Sequence, residues 1–288
     1  MPDMARLALE TTILTHGVPR DAALPLAKEL AKICTENGAE PALVGVYRGQ
    51  PIAGLSDSQL VEILGSTDIP KANSANLGAL MHRKSHASTT VAATMEIAAS
   101  AGIRVFSTGG IGGVHKGFAQ HLDISADLIA LTRFPVAVVA SGVKSILDVL
   151  ATRELLETLG VPVIGFQTSE FPAFYLRASG ASVDARFDDV SDLGAFVGSE
   201  LRRTGRGMLI ANPIPAASEL NASQFSKWLS ESEHAVGVGA TGRNATPSLL
   251  GKLHEFSGGK TLQANLELIR SNTALGARLA AYLGATNH

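Results

Sequence analysis

Chemistry in this chain starts with Lys144, in the stretch AVVASGVKSILDVLATRELL, residues 137–156. An apolar run of the kind found in buried strands ends at Ala140, Ser141 and Gly142. Ile146, Leu147, Val149, Leu150, Leu155 and Leu156 then follow at helical spacing, which places Lys144 in the first turn of a helix. Helix starts favour anions, because their first N–H groups lack partners and the dipole is positive there. A cation in that position, with an apolar strand behind it, is expected to favour its uncharged form. A neutral amine is a nucleophile able to form a Schiff base with a sugar aldehyde carbon. The competing reading is a lysine whose stem lies along the helix with its head in water.

A second candidate is Glu10, inside the otherwise apolar strand pattern of LALETTILTHG. If buried, its carboxyl holds its proton more tightly and is a candidate general acid. If the strand is an edge, Glu10 simply faces water. Further along, FSTGGIGGVHKGFAQHLDISADL (106–128) carries four glycines within five positions after a strand. Backbone there must bend sharply or approach a ligand. A dinucleotide fingerprint fails, because His115 stands where the third glycine belongs, and no Gly-Lys-Ser/Thr closes a phosphate-binding loop. Asp123, Ser125 and Asp127 follow, with His115 and His121 just upstream. Two carboxylates with few soft ligands suit a hard divalent ion such as Mg²⁺ or Mn²⁺, held partly by water and substrate oxygens. The same residues also read as a capped helix start, with Asp123 or Ser125 as the cap of ADLIALTR. In HASTTVAATMEIAASAG, hydroxyls at Thr89 and Thr90 and the amide of Val91 open a helix, which is a ready phosphate site or a plain N-cap. Lys71 would add the positive charge.

The elements that must position these residues read as short apolar β-rich runs alternating with helical patterns. The expected strands are RLALETTIL, ALVGVYRG, IRVFSTGG, FPVAVVASG, VPVIGFQT and GMLIANP. The expected helices are 22–37, 57–64, 89–101, 145–158, 191–204, 222–233 and 261–283. Several strands are continuously apolar, which suits a sheet covered by helices on both faces. A three-layer α/β/α fold around a central sheet follows, as a single domain over residues 1–288. The polar stretch from about 216 to 245 reads as a surface helix and loop. The 288 residues are 45% hydrophobic with a net charge of −2, enough for a large core and without the basic excess of nucleic-acid binders. One cysteine, Cys34, excludes an intramolecular disulfide and multi-cysteine zinc sites. It falls on the apolar side of its helix, as a buried thiol. With no signal-like start and no apolar run of about 18 residues, a soluble cytoplasmic protein without a membrane partner is expected.

Taken together, LALETTILTHGVPR, STTVAATMEIAASAGIRVFSTGGIGGVHKG, LDISADL, VVASGVKSILDVLATRELLETLGVPVIGF, FPAFY, IANPIP and TLQANLELIRSNTALGARLA resemble the pseudouridine-5′-phosphate glycosidase family, also called the indigoidine synthase A-like family. The likeness runs from about residue 7 to about residue 283. It implies a mixed sheet, a homotrimer and a divalent metal, typically Mn²⁺. The implied reaction is reversible cleavage of the C–C glycosidic bond of pseudouridine 5′-phosphate to ribose 5-phosphate and uracil. By the resemblance, Lys144 matches the imine-forming lysine, Glu10 the proton donor and Asp123 the metal-binding aspartate. Lys71, Val91, Ser125, Ala126 and Asp127 match substrate-binding positions, and Thr90 lies beside them. His115 matches a histidine close to the ligand, and Asn265 a substrate-contacting asparagine. Two stretches depart from the family. ANSANLGALMHRKS lacks an Arg-Asp pair after Lys71, and Ser248 stands where a Phe is usual. The alternatives are a lysine-imine lyase on a related sugar phosphate, a pigment-biosynthesis relative, or a catalytically silent phosphosugar-binding protein.

Overall fold

A computed structural model describes residues 4–236 and 245–286 of the chain. Its strands are β1 (Arg6–Glu10), β2 (Glu40–Tyr47), β3 (Gln50–Ala53), β4 (Lys71–Ala72), β5 (Ala87–Thr89), β6 (Val105–Ser107), β7 (Ala137–Ala140), β8 (Val163–Phe166), β9 (Ala185–Phe187) and β10 (Met208–Ala211). They form one sheet in the order β4-β5-β2-β1-β6-β7-β10-β8-β9, with β3 paired to β2. From β2 through β1, β6, β7, β10 and β8 to β9 every pairing is parallel, whereas β3 and β5 run antiparallel to β2.

The helices are α1 (Thr12–His16), α2 (Arg20–Glu36), α3 (Asp57–Gly65), α4 (Leu77–His82), α5 (Val91–Ser100), α6 (Phe118–His121), α7 (Ala126–Arg133), α8 (Val149–Thr158), α9 (Val190–Thr204), α10 (Ala222–Val236), α11 (Ala245–Phe256) and α12 (Lys260–Thr286). Helix α12 packs with α2 and α9 and lies on β1, β6 and β7, while α5 packs with α7 and lies on β1, β2 and β6. These two groups cover opposite faces, giving the three layers expected from the continuously apolar strands. All residues of β6, β7, β8 and β10 are buried, as parallel strands covered on both sides must be. Cys34 is buried in the core as the sequence implied.

The six strands expected from sequence form the sheet's spine, and β3, β4, β5 and β9 are additional. Two boundaries differ where they matter. The run RLALETTIL stops being a strand at Glu10 and turns into α1, although Thr11, Thr12 and Ile13 are β-branched. Tertiary hydrogen bonds outweigh that local preference. Thr11 donates to the Val44 carbonyl at 2.9 Å and Thr12 to the Thr89 carbonyl at 2.7 Å, tying the turn to the middle of β2 and the end of β5.

The second difference concerns Lys144. The helix expected from residue 145 starts instead at Val149, capped by Asp148, whose side chain accepts the Ala151 N–H at 3.0 Å. The intervening backbone is held against the glycine segment. Lys144 N–H donates to Ile111 O at 3.1 Å and Asp148 N–H to Val114 O at 2.9 Å. Lys144 therefore stands on a strand-to-helix loop, and the helix-dipole argument does not apply to it.

That loop depends on Gly142, which has φ +75°, and a Cβ there would overlap the Pro172 carbonyl. Gly142→Ala is expected to destabilise the fold by roughly 2–5 kcal/mol, combining left-handed strain with the clash. Urea unfolding of the variant beside the wild type measures this, and an unchanged midpoint contradicts the account.

Candidate active site

Parallel α/β sheets place ligands outside the carboxyl ends of their strands. Here a cavity of about 320 Å³ lies at that edge, and its lining includes Glu10, Lys71, Thr108, Gly109, Gly110, Lys144 and Asn265. Four of the residues singled out in the sequence, Glu10, Lys71, Lys144 and Asn265, thus meet in one space although they are spread over most of the chain.

Glu10 ends β1, which is central in the sheet, so the edge-strand reading is excluded. Its side chain is 7% exposed. The Thr108 hydroxyl, just past the end of β6, donates to its Oε1. Burial raises its proton affinity above the ordinary value of 4.5, and the Asp127 charge adds to this. The Lys144 ammonium, the Thr108 hydrogen bond and the Lys71 ammonium oppose it.

Lys71 opens β4 beside this carboxylate. Burial, then the Lys144 charge, lowers its pKa from 10.5 to about 8, with Glu10 pulling the other way. The departing stretch after Lys71 folds as an asparagine-held turn followed by α4. Asn76 Nδ2 donates to Lys71 O at 3.0 Å, and Asn76 Oδ1 accepts the Asn73 N–H at 2.7 Å. Asn265, on α12, has a buried Oδ1 without a hydrogen-bond partner. It is an acceptor available to a ligand.

Asp127, Ser125, Ala126, Val91, Thr90, His115 and Asp123 do not line the cavity. Asp127 is 5% exposed and joins two backbone segments. Its Oδ1 accepts the Ala92 N–H at 3.0 Å in the first turn of α5, and its Oδ2 accepts the Gly112 N–H at 2.8 Å. A Cβ on Gly112 would overlap Ser125 Oγ, so only glycine allows this approach. Ser125 caps α7, accepting the Asp127 N–H at 3.2 Å, and Ala126 is that helix's first residue. Capping is therefore one real role of Ser125. Thr90 occupies the N-cap of α5 yet makes no side-chain cap bond, and its buried Oγ1 has no partner. Val91, 1% exposed, begins the helix.

Asp123 and His115 pair on the loop beyond the glycines. His115 N–H donates to Asp123 O at 3.0 Å, and Nδ1 lies 3.8 Å from Oδ2. Among the described residues no three His, Cys, Asp or Glu side chains converge as a metal cage. One carboxylate with one imidazole on a partly exposed loop fits a hard ion that keeps much of its shell as water or substrate oxygen, and not a site closed by protein alone.

Sequence reasoning passed over Thr108, His16, His254, Phe174 and Tyr175, which also line the cavity. His16 sits in the same stretch as Glu10. Partial burial, then the Lys71 charge, pushes its pKa down to about 4, so its imidazole is neutral. Burial also lowers the pKa of His254, whose Nδ1 lies 2.6 Å from Thr261 Oγ1. The Ser248 side chain lies outside the described residues, as do residues 237–244 of the polar stretch. Among the described residues no helix is long and apolar enough to cross a membrane.

The raised proton affinity of Glu10 has a thermodynamic consequence. Folded protein holds this proton more tightly than the unfolded chain, so its contribution declines as pH rises from the ordinary 4.5 through the folded value. Glu10→Gln removes that penalty. Its urea midpoint, relative to wild type, is expected to climb as pH increases from about 4 to about 8. A difference that stays flat over this range contradicts the burial account.

Comparison with known proteins adds an independent line. The family model described as indigoidine synthase A like protein matches residues 3–282. A pseudouridine-5′-phosphate glycosidase of Alkaliphilus metalliredigens is 43% identical over 280 residues, covering 96% of this chain and 91% of its own. One from Geobacillus kaustophilus is 43% identical over 276 residues, covering 95% and 92%. An indigoidine synthase A-like protein from Thermotoga maritima has a crystal structure that superposes with a TM-score of 0.91 at 34% identity, covering 99% of this chain and 94% of that one. The prealnumycin C-glycosynthase AlnA, solved with ribulose 5-phosphate, superposes at 0.90 with 32% identity, covering 98% and 92%. Through this agreement over nearly its whole length, the chain belongs to the indigoidine synthase A-like family.

Proposed function

We propose that this protein is a pseudouridine-5′-phosphate glycosidase, a lyase that reversibly splits the C–C glycosidic bond to give ribose 5-phosphate and uracil. The observation that carries this reading is the meeting of Lys144, Lys71 and a buried, proton-retaining Glu10 in one cavity. The reaction needs such a set. Uracil leaves through carbon, so the paired-carboxylate route of O-glycosidases has no oxygen leaving group to protonate. In its unprotonated form the Lys144 amine adds to C1′ while Glu10 gives its proton to the ring oxygen, and the C1′–O4′ bond opens. The added amine loses a proton to the Glu10 carboxylate. Glu10 returns that proton to uracil C5 as the C1′–C5 bond breaks, its electrons staying with C5 while the nitrogen lone pair forms the protonated C1′=N imine. Water hydrolyses the imine, restoring Lys144 and releasing ribose 5-phosphate.

Lys71 and the opening turn of α5, with Thr90 and Val91, bind the phosphate in this reading and align the sugar. Ser125, Ala126 and Asp127 complete the sugar-phosphate side, His115 lies near it, and Asn265 accepts from the ligand. Asp123 would hold a divalent ion, most naturally Mn²⁺, which when bound orients substrate and water. The reading includes one domain over residues 1–288, a cytoplasmic setting and a homotrimer. Phe118, Leu122 and Ile124, exposed at 37, 76 and 40%, offer an apolar surface beside Asp123 for assembly.

A second reading runs the same imine chemistry on a different carbon partner, and the likeness to AlnA favours it. Borohydride reduction with ribose 5-phosphate, followed by intact mass measurement, tests the shared step. One covalent adduct is expected, and none in Lys144→Ala; an adduct that survives in Lys144→Ala overturns the mechanism, and no adduct in wild type favours a silent binder. Uracil release from pseudouridine 5′-phosphate, with none from uridine 5′-phosphate, separates the two enzymatic readings. Lys71→Met is expected to raise KM roughly 10- to 100-fold, the scale of one charge-assisted hydrogen bond, with a smaller effect on kcat. An unchanged KM removes Lys71 from phosphate binding.

A further inference from the structure

We propose that Asn272 is a positioning residue that sets the proton donor and the nucleophile relative to each other without touching substrate. The inference deepens the lysine-imine reading and rests on it. Asn272 lies in α12, has no exposed surface and is absent from the cavity lining. It stands seven residues after Asn265, two turns along the same helix face. Its amide reaches the ends of three adjacent strands. Nδ2 donates to Thr108 O at 2.8 Å and approaches Gly109 O at 3.3 Å, both just past β6. It also lies 3.1 Å from Ser141 Oγ, just past β7. Oδ1 accepts from Asn212 Nδ2 at 2.9 Å, just past β10. Carbonyls only accept, so the two facing Nδ2 fix which way the amide points.

Two of these partners, Thr108 and Ser141, lead to a reacting group. The Thr108 hydroxyl donates to Glu10. Ser141 precedes Gly142 and the loop on which Lys144 N–H bonds to Ile111 O at 3.1 Å. One buried amide thus sets the spacing between the β6 end, which holds the acid, and the β7 end, which carries the amine. An apolar side chain could fill the same volume, but it would leave the Thr108 and Gly109 carbonyls without this donor. Asparagine is also a weak helix former in mid-helix. Its place there is accounted for by the strand ends it joins.

The test compares wild type, Asn272→Asp and Asn212→Ala by kcat and KM for pseudouridine 5′-phosphate, the pH profile of kcat, and Tm. Asn272→Asp keeps the acceptor and loses the donor. Small misplacements of reacting groups can cost about 100-fold. A kcat loss of about that size with KM near that of wild type is expected. Glu10 is faced by Lys144, Asp127, Lys71 and the Thr108 hydroxyl, and the hydroxyl lowers its proton affinity. Loosening Thr108 is therefore expected to move the alkaline limb of kcat to higher pH. Asn212→Ala leaves the donor in place and removes its orienting partner, so a smaller loss of kcat in the same direction is expected. Wild-type kcat and an unmoved limb in folded variants, with only Tm lowered, overturn the inference and leave Asn272 a purely structural role. If Asn272→Asp does not fold, Asn212→Ala decides by the same criteria. Failure of wild-type protein to form the borohydride adduct at all sinks the imine reading, and this inference with it, whatever the variants do.

Discussion

A carboxyl group withdrawn from water at the end of a central strand governs the rest of this architecture. Glu10 would be costly to bury among apolar strands, and the protein offsets that cost without cancelling it. A hydroxyl and two ammonium groups pull its proton affinity down, and burial still prevails. A closer ion pair would have left a permanently ionised carboxylate, useful as a charge and useless as an acid. The same balance acts on Lys71, whose charge is weakened by burial and by a second lysine. Burial thereby makes Glu10 hold its proton more tightly and Lys71 hold its proton less tightly than either would in water, the direction that general acid–base chemistry requires.

The sheet supplies the geometry for that balance. Parallel strands deliver their carboxyl ends to one edge, so residues distant in sequence arrive side by side. The glycine segment after β6 lets backbone pass close to Asp127 and Ser125 where a side chain would intrude. Asp127 uses both carboxylate oxygens on backbone N–H groups, joining the start of α5 to that segment. The opening turn of α5, proposed above to bind the phosphate, and the glycine segment that holds the Lys144 loop are thus parts of one hydrogen-bonded frame.

The spine of the fold was legible because buried parallel strands must be continuously apolar, and six such runs stand out. Strands β3, β4, β5 and β9 were not, since pieces of two to four residues carry no comparable pattern. Chemistry was legible by residue type and not by placement. Glu10 could have faced water, and only its central strand decides otherwise. Lys144 read as helical because apolar spacing begins before the helix does; Asp148 and the pairing with the glycine segment fix the true start. His16 and Thr108 were written in stretches already of interest. Nothing local distinguishes a hydroxyl or an imidazole that a distant strand will meet.

Helix α12 contacts β1, β6 and β7, so β1 is covered by a helix that follows it by some 250 residues in sequence. A chain emerging from the ribosome in order, amino end first, can pair β1 with β2 early. It cannot close the layer over them until some two hundred further residues have been synthesised. Until then the face of the sheet that α12 covers lacks that helix, and Asn265 and Asn272 are missing from the strand ends they meet. The site at the strand ends is therefore braced by a contact between segments far apart in sequence, which forms only after α12 has been synthesised.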